Sequence, residues 1–206
     1  MEKCPLCHQS STPFFKDLFF QCSTCRGIFK SKTFYLDREQ EKARYEIHNN
    51  DVHDVRYQKF VSPITDAVFG SFTPRHAGLD FGAGPGPVIS KILKDQNYQI
   101  ELYDPFFFNY PELLDKQYDY VVCCEVIEHF HHPDKAFRLL KNLLKEKGSL
   151  FCMTSIYNDD IDFNGWNYKN DETHVFIYRA ETLQWIKEHY GFGSMTINER
   201  MIRFDY

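Results

Sequence analysis

Residues 79–86 of the chain are Leu79-Asp80-Phe81-Gly82-Ala83-Gly84-Pro85-Gly86, and they lie between two apolar segments of different period. Residues 76–81 have the pattern of a buried strand, and residues 87–94 have apolar side chains at helical spacing. Glycine lets the backbone turn sharply and approach a ligand, because no Cβ stands in the way. The stretch therefore predicts a strand, a glycine turn and a helix. An ordinary tight turn without a ligand is the alternative.

Strand and helix patterns continue to alternate on the C-terminal side of this turn. We expect strands at 98–103, 118–124 and 150–154, helices at 133–147 and 181–190, and a closing pair of strands within 192–206. Pro133 suits the first position of its helix, and Gly148 is expected to end it. Strands that alternate with helices predict an α/β fold with a mainly parallel, doubly wound sheet.

Two helices are expected on the N-terminal side of the first strand. Residues 37–48 are strongly helix-forming and have an acidic first turn. Asn49-Asn50 interrupts this helix, and residues 52–68 predict a second one that Pro63 is able to break. The chain thus divides into a cysteine-rich segment at 1–30, a helical segment at 31–70 and the strand–helix domain at 71–206.

Acidic residues close the first two strands of this domain. Asp80 ends the first strand, and Asp104 ends the second strand 24 residues later (104 − 80). An acid at the end of the second strand can bind both hydroxyls of an adenosine ribose. The glycines run G-x-G-x-G, so the dinucleotide fingerprint G-x-G-x-x-G is not met.

Three motifs together resemble the class I S-adenosylmethionine-dependent methyltransferases, which have a Rossmann-like fold. The first is the glycine stretch at 79–86, and the second is Tyr-Asp-Tyr-Val-Val-Cys-Cys-Glu-Val-Ile-Glu-His-Phe at 118–130. The third is Lys-Gly-Ser-Leu at 147–150, before the fifth strand. The Glu-Val-Ile-Glu-His form is similar to the branch that includes ubiquinone-biosynthesis O-methyltransferases.

The resemblance implies S-adenosylmethionine as cofactor and assigns its contacts. The implied cofactor-binding residues are Asp80, Phe81, Gly82, Ala83, Gly84, Gly86, Asp104, Pro105 and Glu125. Only residues 105–117 separate the second strand from the fourth, which leaves little room for a third strand. The adenine contacts therefore stay unassigned, and the phenylalanines at 106–108 either stack on the ring or belong to the core.

The acceptor site is expected in the loop after the fifth strand. Trp166, Tyr168, Asp171 and His174 combine flat rings with titratable groups, as a small-molecule pocket requires. A tyrosine-rich packing loop is the alternative. His129 and His174 are the candidate catalytic bases, because the usual pKa of histidine suits proton removal near neutral pH.

The helices at 37–62 are expected to cover the cofactor, because this fold usually places cofactor-covering helices before its first strand. They would bring some of Tyr45, His48, Asn49 and Tyr57 to the site, with Tyr45 as a further substrate contact. Simple packing of these aromatic rings is the alternative.

Four of the seven cysteines form two Cys-x2-Cys pairs, Cys4 with Cys7 and Cys22 with Cys25. Two such pairs supply four thiolates in a tetrahedron, so they predict a zinc ribbon with one structural Zn²⁺. About 30 residues cannot bury a stabilising core alone, which is why a metal is needed. The other three cysteines lie in apolar runs and are expected in the core. A disulfide or a redox pair is the alternative to zinc, and the expected reducing location of the protein disfavours it.

Composition narrows the classes of partner. The chain has 24 basic and 29 acidic residues, a net charge of −5, which disfavours a broad nucleic-acid surface. No run of 18 apolar residues appears, so we expect a cytoplasmic protein without a membrane partner.

The leading hypothesis is a methyltransferase with a small-molecule acceptor. The alternatives are an RNA or protein methyltransferase that recognises its substrate through the ribbon, and a non-catalytic cofactor-binding module.

Overall fold

The computed structural model describes residues 2–47 and 51–206. Its cysteine-rich segment contains three short strands, β1 (Ser11–Phe15), β2 (Phe19–Cys22) and β3 (Ile28–Lys30). β2 pairs antiparallel with both β1 and β3. A single turn of 3₁₀-helix at Lys32–Phe34 then leads away from this small sheet.

Two helices follow, α1 (Arg38–Glu46) and α2 (Val55–Ser71). Asp37 caps α1 by accepting hydrogen bonds from the backbone of the first turn, so the predicted helix start is confirmed. α2 runs through Pro63, although proline removes one helical hydrogen bond, because one face of the helix is buried on the main sheet. Within the described ranges, no helix is long and apolar enough to cross a bilayer.

The rest of the chain builds the main sheet and the helices that cover it. In chain order its elements are β4 (Ala77–Phe81), α3 (Val88–Asp95), β5 (Gln99–Tyr103), β6 (Tyr118–Cys124), α4 (Pro133–Asn142), β7 (Leu144–Met153), β8 (Phe176–Ile177), α5 (Ala180–Tyr190), β9 (Ser194–Asn198) and β10 (Met201–Asp205). The described residues form a six-stranded sheet in the order β5-β4-β6-β7-β10-β9. The first four strands are parallel, and β10 is antiparallel to both neighbours. The predicted α/β fold with a mainly parallel sheet is confirmed.

The segment between β5 and β6 forms no strand of the main sheet in the described structure. An antiparallel bridge between Asp104 and Phe108 turns the chain back, and a 3₁₀-helix at Pro111–Asp115 leads to β6. The expectation that this segment is too short for a third strand therefore holds, and β5 is an edge strand.

The helix predicted at 133–147 is wrong at its C-terminal end. α4 ends at Asn142, and β7 begins two residues later at Leu144. β7 first pairs Leu144 with Tyr118 and resumes with Ser149 opposite Tyr120, so an irregular turn interrupts the strand. A Cβ on Gly148 would lie 2.9 Å from the carbonyl oxygen of Lys145. Gly148 is thus required by a close approach of the chain within this turn, and it does not cap the helix.

β8 belongs to the small N-terminal sheet, which has the order β1-β2-β3-β8. Its residues Phe176 and Ile177 pair antiparallel with Phe29 and Ile28 of β3. The ring of Phe176 stacks on that of Phe29 at 6.5 Å, and both side chains are buried. The cysteine-rich segment therefore shares a sheet and a core with the loop that follows β7, across the boundary predicted at residue 30.

Candidate active site

A cleft of about 890 Å³ lies beyond the carboxyl ends of β4, β5 and β6. Open α/β sheets bind ligands in this place, because loops from several parallel strands converge there. The cleft brings together most residues that the sequence predicts for the site: Tyr45, Asp80, Phe81, Gly82, Ala83, Gly84, Gly86, Asp104, Pro105, Glu125, His129, Tyr168, Asp171 and His174.

The glycine turn forms one wall of the cleft. Gly82 has a φ of +78°, and a Cβ there would lie 2.5 Å from Cγ2 of Val126. The amide groups of Gly82 and Ala83 both donate to the carbonyl oxygen of Tyr103, at 2.8 and 3.2 Å. Gly84 has a φ of +61°, and a Cβ there would meet no atom within 4 Å. The turn is therefore closed towards the protein at Gly82 and open towards the cleft at Gly84.

Asp104 connects the glycine turn to the end of β5. Its Oδ2 accepts a hydrogen bond of 3.0 Å from the amide of Gly84. Its Oδ1 accepts from the amides of Phe106 and Phe107, at 2.8 and 3.1 Å. The side chain is buried, so these three bonds fix the carboxylate at the floor of the cleft.

Asp80 lies at the carboxyl end of β4 and is buried beneath the glycine turn. Its Oδ2 accepts a hydrogen bond of 2.8 Å from the hydroxyl of Ser90 on α3. Burial raises the pKa of Asp80 to about 6, because the charged form loses its hydration there. This carboxyl therefore connects the glycine turn to the helix behind it.

Glu125 follows β6 and has a φ of +52°, which its amide supports by donating to the carbonyl oxygen of Met153 at 2.8 Å. Its Oε2 accepts a hydrogen bond of 2.6 Å from Nη2 of Arg200, on the turn before β10. Burial raises the pKa of Glu125 to about 8, the nearby charge of Glu128 adds to this, and Arg200 opposes it. Sequence reasoning missed Arg200, which lies 75 residues away in the chain and matches no motif.

Glu128 is the second acid of this turn, within a short 3₁₀-helix at Ile127–His129, and it is fully buried. Its Oε1 accepts a hydrogen bond of 2.6 Å from the hydroxyl of Tyr168. That hydroxyl also lies 2.7 Å from Oγ1 of Thr154 at the end of β7. Burial raises the pKa of Glu128. Sequence reasoning quoted this glutamate within a motif and gave it no role.

The two candidate histidines lie side by side, with ring centroids 4.9 Å apart. Nδ1 of His129 lies 3.0 Å from the carbonyl oxygen of Thr173, and Nδ1 of His174 lies 2.7 Å from that of Tyr168. A carbonyl oxygen only accepts hydrogen bonds, so both Nδ1 atoms donate, and in the neutral rings Nε2 carries the lone pair. Burial, together with the nearby His129, lowers the pKa of His174 and favours its neutral form.

α1 lies against the cleft and is held by polar and aromatic contacts. The ring of Tyr45 lies 5.4 Å from that of His129 and 5.5 Å from that of Phe106. Arg44 forms an ion pair of 2.8 Å with Asp171. α1 buries none of its residues, so these contacts fix its position.

The remaining cap predictions concern the start of α1, the start of α2 and the segment between the helices. Nη2 of Arg38 donates to the carbonyl oxygen of Pro105 at 2.9 Å, and Tyr57 of α2 lines the cleft. His48 and Asn49 lie outside the described residues. Both helices therefore contribute side chains to the cleft, as the sequence predicts.

Trp166 is the predicted substrate residue that does not line the cleft. Its ring packs against Tyr157 at 5.7 Å and Phe163 at 6.2 Å, beside the N-terminal sheet. A 3₁₀-helix at Asn167–Asn170 then changes the direction of the chain, so Tyr168 faces the cleft. Trp166 therefore lies away from the described cleft, and an aromatic run alone does not show which of its rings faces the cleft.

The N-terminal sheet supports the loop that carries Asp171 and His174. Lys30 of β3 is buried, and its Nζ donates to the carbonyl oxygens of Asp171 and Glu172, at 3.2 and 2.8 Å. Its amide also donates to the carbonyl oxygen of Val175 at 2.9 Å. These residues are more than 140 positions apart in sequence, and no local pattern indicates the contact.

The four N-terminal cysteines form one cluster, as the sequence predicts. Their Sγ atoms all lie within 4.8 Å of one another. Cys4 and Cys25 approach to 3.6 Å and Cys7 and Cys22 to 3.2 Å, and all four are free thiols. Four thiolates bound at about 2.3 Å to one zinc ion are about 3.8 Å apart, so the cluster has the size of such a site.

The comparisons with known proteins agree with this geometry. A family model described as a methyltransferase domain matches residues 53–195, more than half of the chain. The chain belongs to this methyltransferase domain family, and its fold is that of the class I S-adenosylmethionine-dependent enzymes. A comparison with curated protein sequences gives no match.

Three solved structures illustrate the likeness in fold. A SAM-dependent methyltransferase from Archaeoglobus fulgidus is 21% identical with a TM-score of 0.54, over 68% of this chain and 71% of that one. An O-methyltransferase family protein from Burkholderia thailandensis is 13% identical with a TM-score of 0.53, over 80% and 61%. Human N-acetylserotonin methyltransferase, solved with SAM, is 10% identical with a TM-score of 0.52, over 72% and 53%. This chain spans less than two thirds of the last two proteins.

The raised pKa of Asp80 predicts a pH-dependent effect on stability. The folded protein holds the Asp80 proton more tightly than the unfolded chain, so its contribution is complete below about pH 4 and is lost as the pH rises through about 6. The asparagine side chain of the Asp80→Asn variant does not ionise, so its stability lacks this pH dependence. Its free energy of unfolding should therefore rise relative to the wild type by roughly 2 kcal/mol between pH 4 and 7.

Urea unfolding at several pH values measures this difference. Asp66→Asn, at an exposed position on α2, is the matched control. A flat profile of this difference for Asp80→Asn would show that the buried carboxyl does not titrate as described.

Proposed function

We propose that this protein transfers the methyl group of S-adenosylmethionine to an acceptor bound in the same cleft. The observation that carries the proposal is the convergence of the open glycine turn, Asp104, Glu125 and the two histidines on one cavity. When bound, the cofactor supplies a methyl group already activated by its sulfonium. The protein then contributes mainly alignment and help with the acceptor proton.

The cofactor fits the residues at the carboxyl ends of β4 and β5. A carboxylate has about four lone-pair positions, and three hydrogen bonds occupy Asp104, so capacity remains for a ribose hydroxyl. Gly84 leaves space for the ligand beside this carboxylate. Phe106 and Phe107 also line the cleft, and we assign them to the adenine ring, since no third strand provides that contact.

The acceptor is proposed to lie between α1 and the loop after β7. Tyr45, Tyr168, Asp171 and His174 supply aromatic walls and polar groups there, the combination that orients a small molecule. His129 and His174 assist the loss of the acceptor proton. The likeness of the Glu-Val-Ile-Glu-His motif to the ubiquinone-biosynthesis branch favours a hydroxyl acceptor. The net charge of −5 favours a small molecule over an RNA.

The cysteine cluster is proposed to hold one structural zinc ion, so the N-terminal segment is a zinc ribbon. The spacing of its sulfur atoms supports this. The residue after each cysteine pair also adopts the same left-handed backbone conformation. His8 follows Cys7 with a φ of 61°, and Arg26 follows Cys25 with a φ of 63°. The ion would contribute to the active site indirectly, because it would stabilise the N-terminal sheet. Lys30 of that sheet holds the loop after β7 that carries Asp171 and His174.

Removal of the Asp104 carboxylate should weaken cofactor binding. Asp104→Ala is expected to reduce the affinity for S-adenosylhomocysteine by about 1.5–3 kcal/mol, the scale for a hydrogen bond to a charged group. Calorimetry measures this directly, and Asp115→Ala, an exposed carboxyl at the end of the 3₁₀-helix, is the matched control. Equal affinity in the wild type and Asp104→Ala would remove Asp104 from the site.

The acceptor class is tested by labelled methyl transfer from S-adenosylmethionine into a cell extract. We expect the label in the small-molecule fraction, and His174→Ala should reduce it about 10²- to 10⁴-fold, the usual contribution of acid–base assistance. The variant should keep its affinity for S-adenosylhomocysteine. Label that appears in RNA or protein instead would overturn the small-molecule acceptor.

Zinc content tests the ribbon. Protein purified after expression with zinc should contain at least one zinc ion per chain by elemental analysis, and Cys22→Ser should lose one and unfold at lower temperature. Cys124→Ser is the control, since this cysteine lies outside the cluster. The ribbon assignment would be wrong if Cys22→Ser retained the zinc content of the wild type.

A further inference from the structure

A second cluster of metal-ligating side chains lies inside the cleft. A carboxylate oxygen of Glu128 and one ring nitrogen each of His129 and His174 all lie within 4.8 Å of one another. Two of the three residues are adjacent at the end of β6, and the third comes from the loop held by Lys30. The fold therefore brings together two imidazoles and one carboxylate, a donor set that binds divalent transition metals.

The side chain of Glu128 is an independent observation that points to a cation ligand. Its side chain is fully buried, and within the described residues its Oε2 has no hydrogen-bond partner. Within the described residues, no lysine or arginine forms an ion pair with Glu128. Arg200, which lines the same cleft, pairs with Glu125 instead. A buried carboxylate oxygen without a partner costs free energy, which a bound cation would remove.

The histidines are oriented as metal ligands usually are. Each Nδ1 donates to a backbone carbonyl oxygen, His129 to Thr173 and His174 to Tyr168. Such a bond fixes the tautomer and the plane of the ring, and it makes Nε2 the coordinating nitrogen. The tyrosine hydroxyl that donates to Glu128 Oε1 orients the carboxylate in the same way.

We propose that Glu128, His129 and His174 bind a divalent transition-metal ion in the active-site cleft. Donors around one ion at about 2.1 Å lie about 3.0 Å apart when adjacent and about 4.2 Å apart when opposite. The donor atoms of this cluster, all within 4.8 Å of one another, are thus spaced on the scale of such a site. Imidazole nitrogen favours Mn²⁺, Fe²⁺ or Zn²⁺ over Mg²⁺, which prefers oxygen ligands and its own water.

The ion gives the acceptor site a chemical specificity, and this step rests on the proposed function. An acceptor hydroxyl bound to the ion becomes more acidic and releases its proton to solvent. The oxygen lone pair then forms the new bond to the methyl carbon, and the electrons of the broken C–S bond stay on sulfur. The products are a methyl ether, S-adenosylhomocysteine and one proton. The acceptor class is therefore a molecule whose hydroxyl chelates or binds a metal, such as a catechol-like or hydroxy-acid group.

Manganese is the probe, because Mn²⁺ avoids thiolate sites and is detected by electron paramagnetic resonance. A mild chelator first removes transition metals from the cleft while one zinc ion per chain stays in the cysteine cluster. This protein should bind one Mn²⁺ without any methyl donor and keep it in about tenfold excess of Mg²⁺. Glu128→Gln and His174→Ala should each weaken Mn²⁺ binding by at least about tenfold, since each removes a ligand. His76→Ala is the control, at a histidine bonded to Thr73 before β4.

A second measurement needs no variant. In the wild-type protein, sub-stoichiometric Mn²⁺ should broaden the imidazole proton resonances of His129 and His174 and leave that of His76 sharp. Unchanged resonances, or equal Mn²⁺ affinity in all variants, would overturn the metal site. S-adenosylhomocysteine binding, measured on the same samples, separates the two proposals. Protein that binds S-adenosylhomocysteine but no Mn²⁺ refutes this inference alone, and protein that binds Mn²⁺ but no S-adenosylhomocysteine refutes the proposed function alone.

Discussion

The parallel pairing of β4 with β5 and β6 is the constraint on which the site depends. Its register sets Phe81 opposite Tyr103 and Asp80 opposite Val122, so the three strands end at one edge of the sheet. The glycine turn, Asp104 and Glu125 follow these ends directly. Parallel strands run in one direction, and the loops that leave them meet at the same side. Residues spread over 45 positions (125 − 80) thereby share one cleft.

Buried acids dominate the chemistry of this cleft. Asp80, Asp104 and Glu128 are buried, and Glu125 is paired with a single arginine. Negative groups away from water are costly unless they are hydrogen-bonded or neutralised by a cation. Three backbone amides donate to Asp104, whereas Oε2 of Glu128 beside the histidines has no hydrogen-bond partner within the described residues. This arrangement suits cationic ligands, namely the sulfonium of the proposed cofactor and the metal ion inferred beside it.

The cysteine-rich segment takes part in the active site through the chain it supports. β3 pairs with β8, Lys30 holds the carbonyl groups of Asp171 and Glu172, and the amide of Val175 donates to the carbonyl oxygen of Glu128 at 2.9 Å. This path leads from the cysteine cluster to the acids and histidines of the cleft. A segment of about 30 residues cannot bury a stabilising core alone, so the proposed zinc ion would act on the site by ordering the sheet that holds this loop.

The order of strands and helices, the glycine turn and the acids at the strand ends were all predictable from the amino-acid sequence. These features depend on local period, on conformations that glycine adopts easily and on motif spacing, so they are visible along the chain. The end of α4 was missed because the apolar spacing continues into Leu144, while pairing with Tyr118 draws that residue into β7. Local patterns could not predict which rings of the 166–174 loop face the cleft. Nor could they predict that folding brings Arg200 to Glu125 and His174 to Glu128. Such contacts join residues more than 40 positions apart, and they form because packing of the two sheets fixes the intervening loops in space.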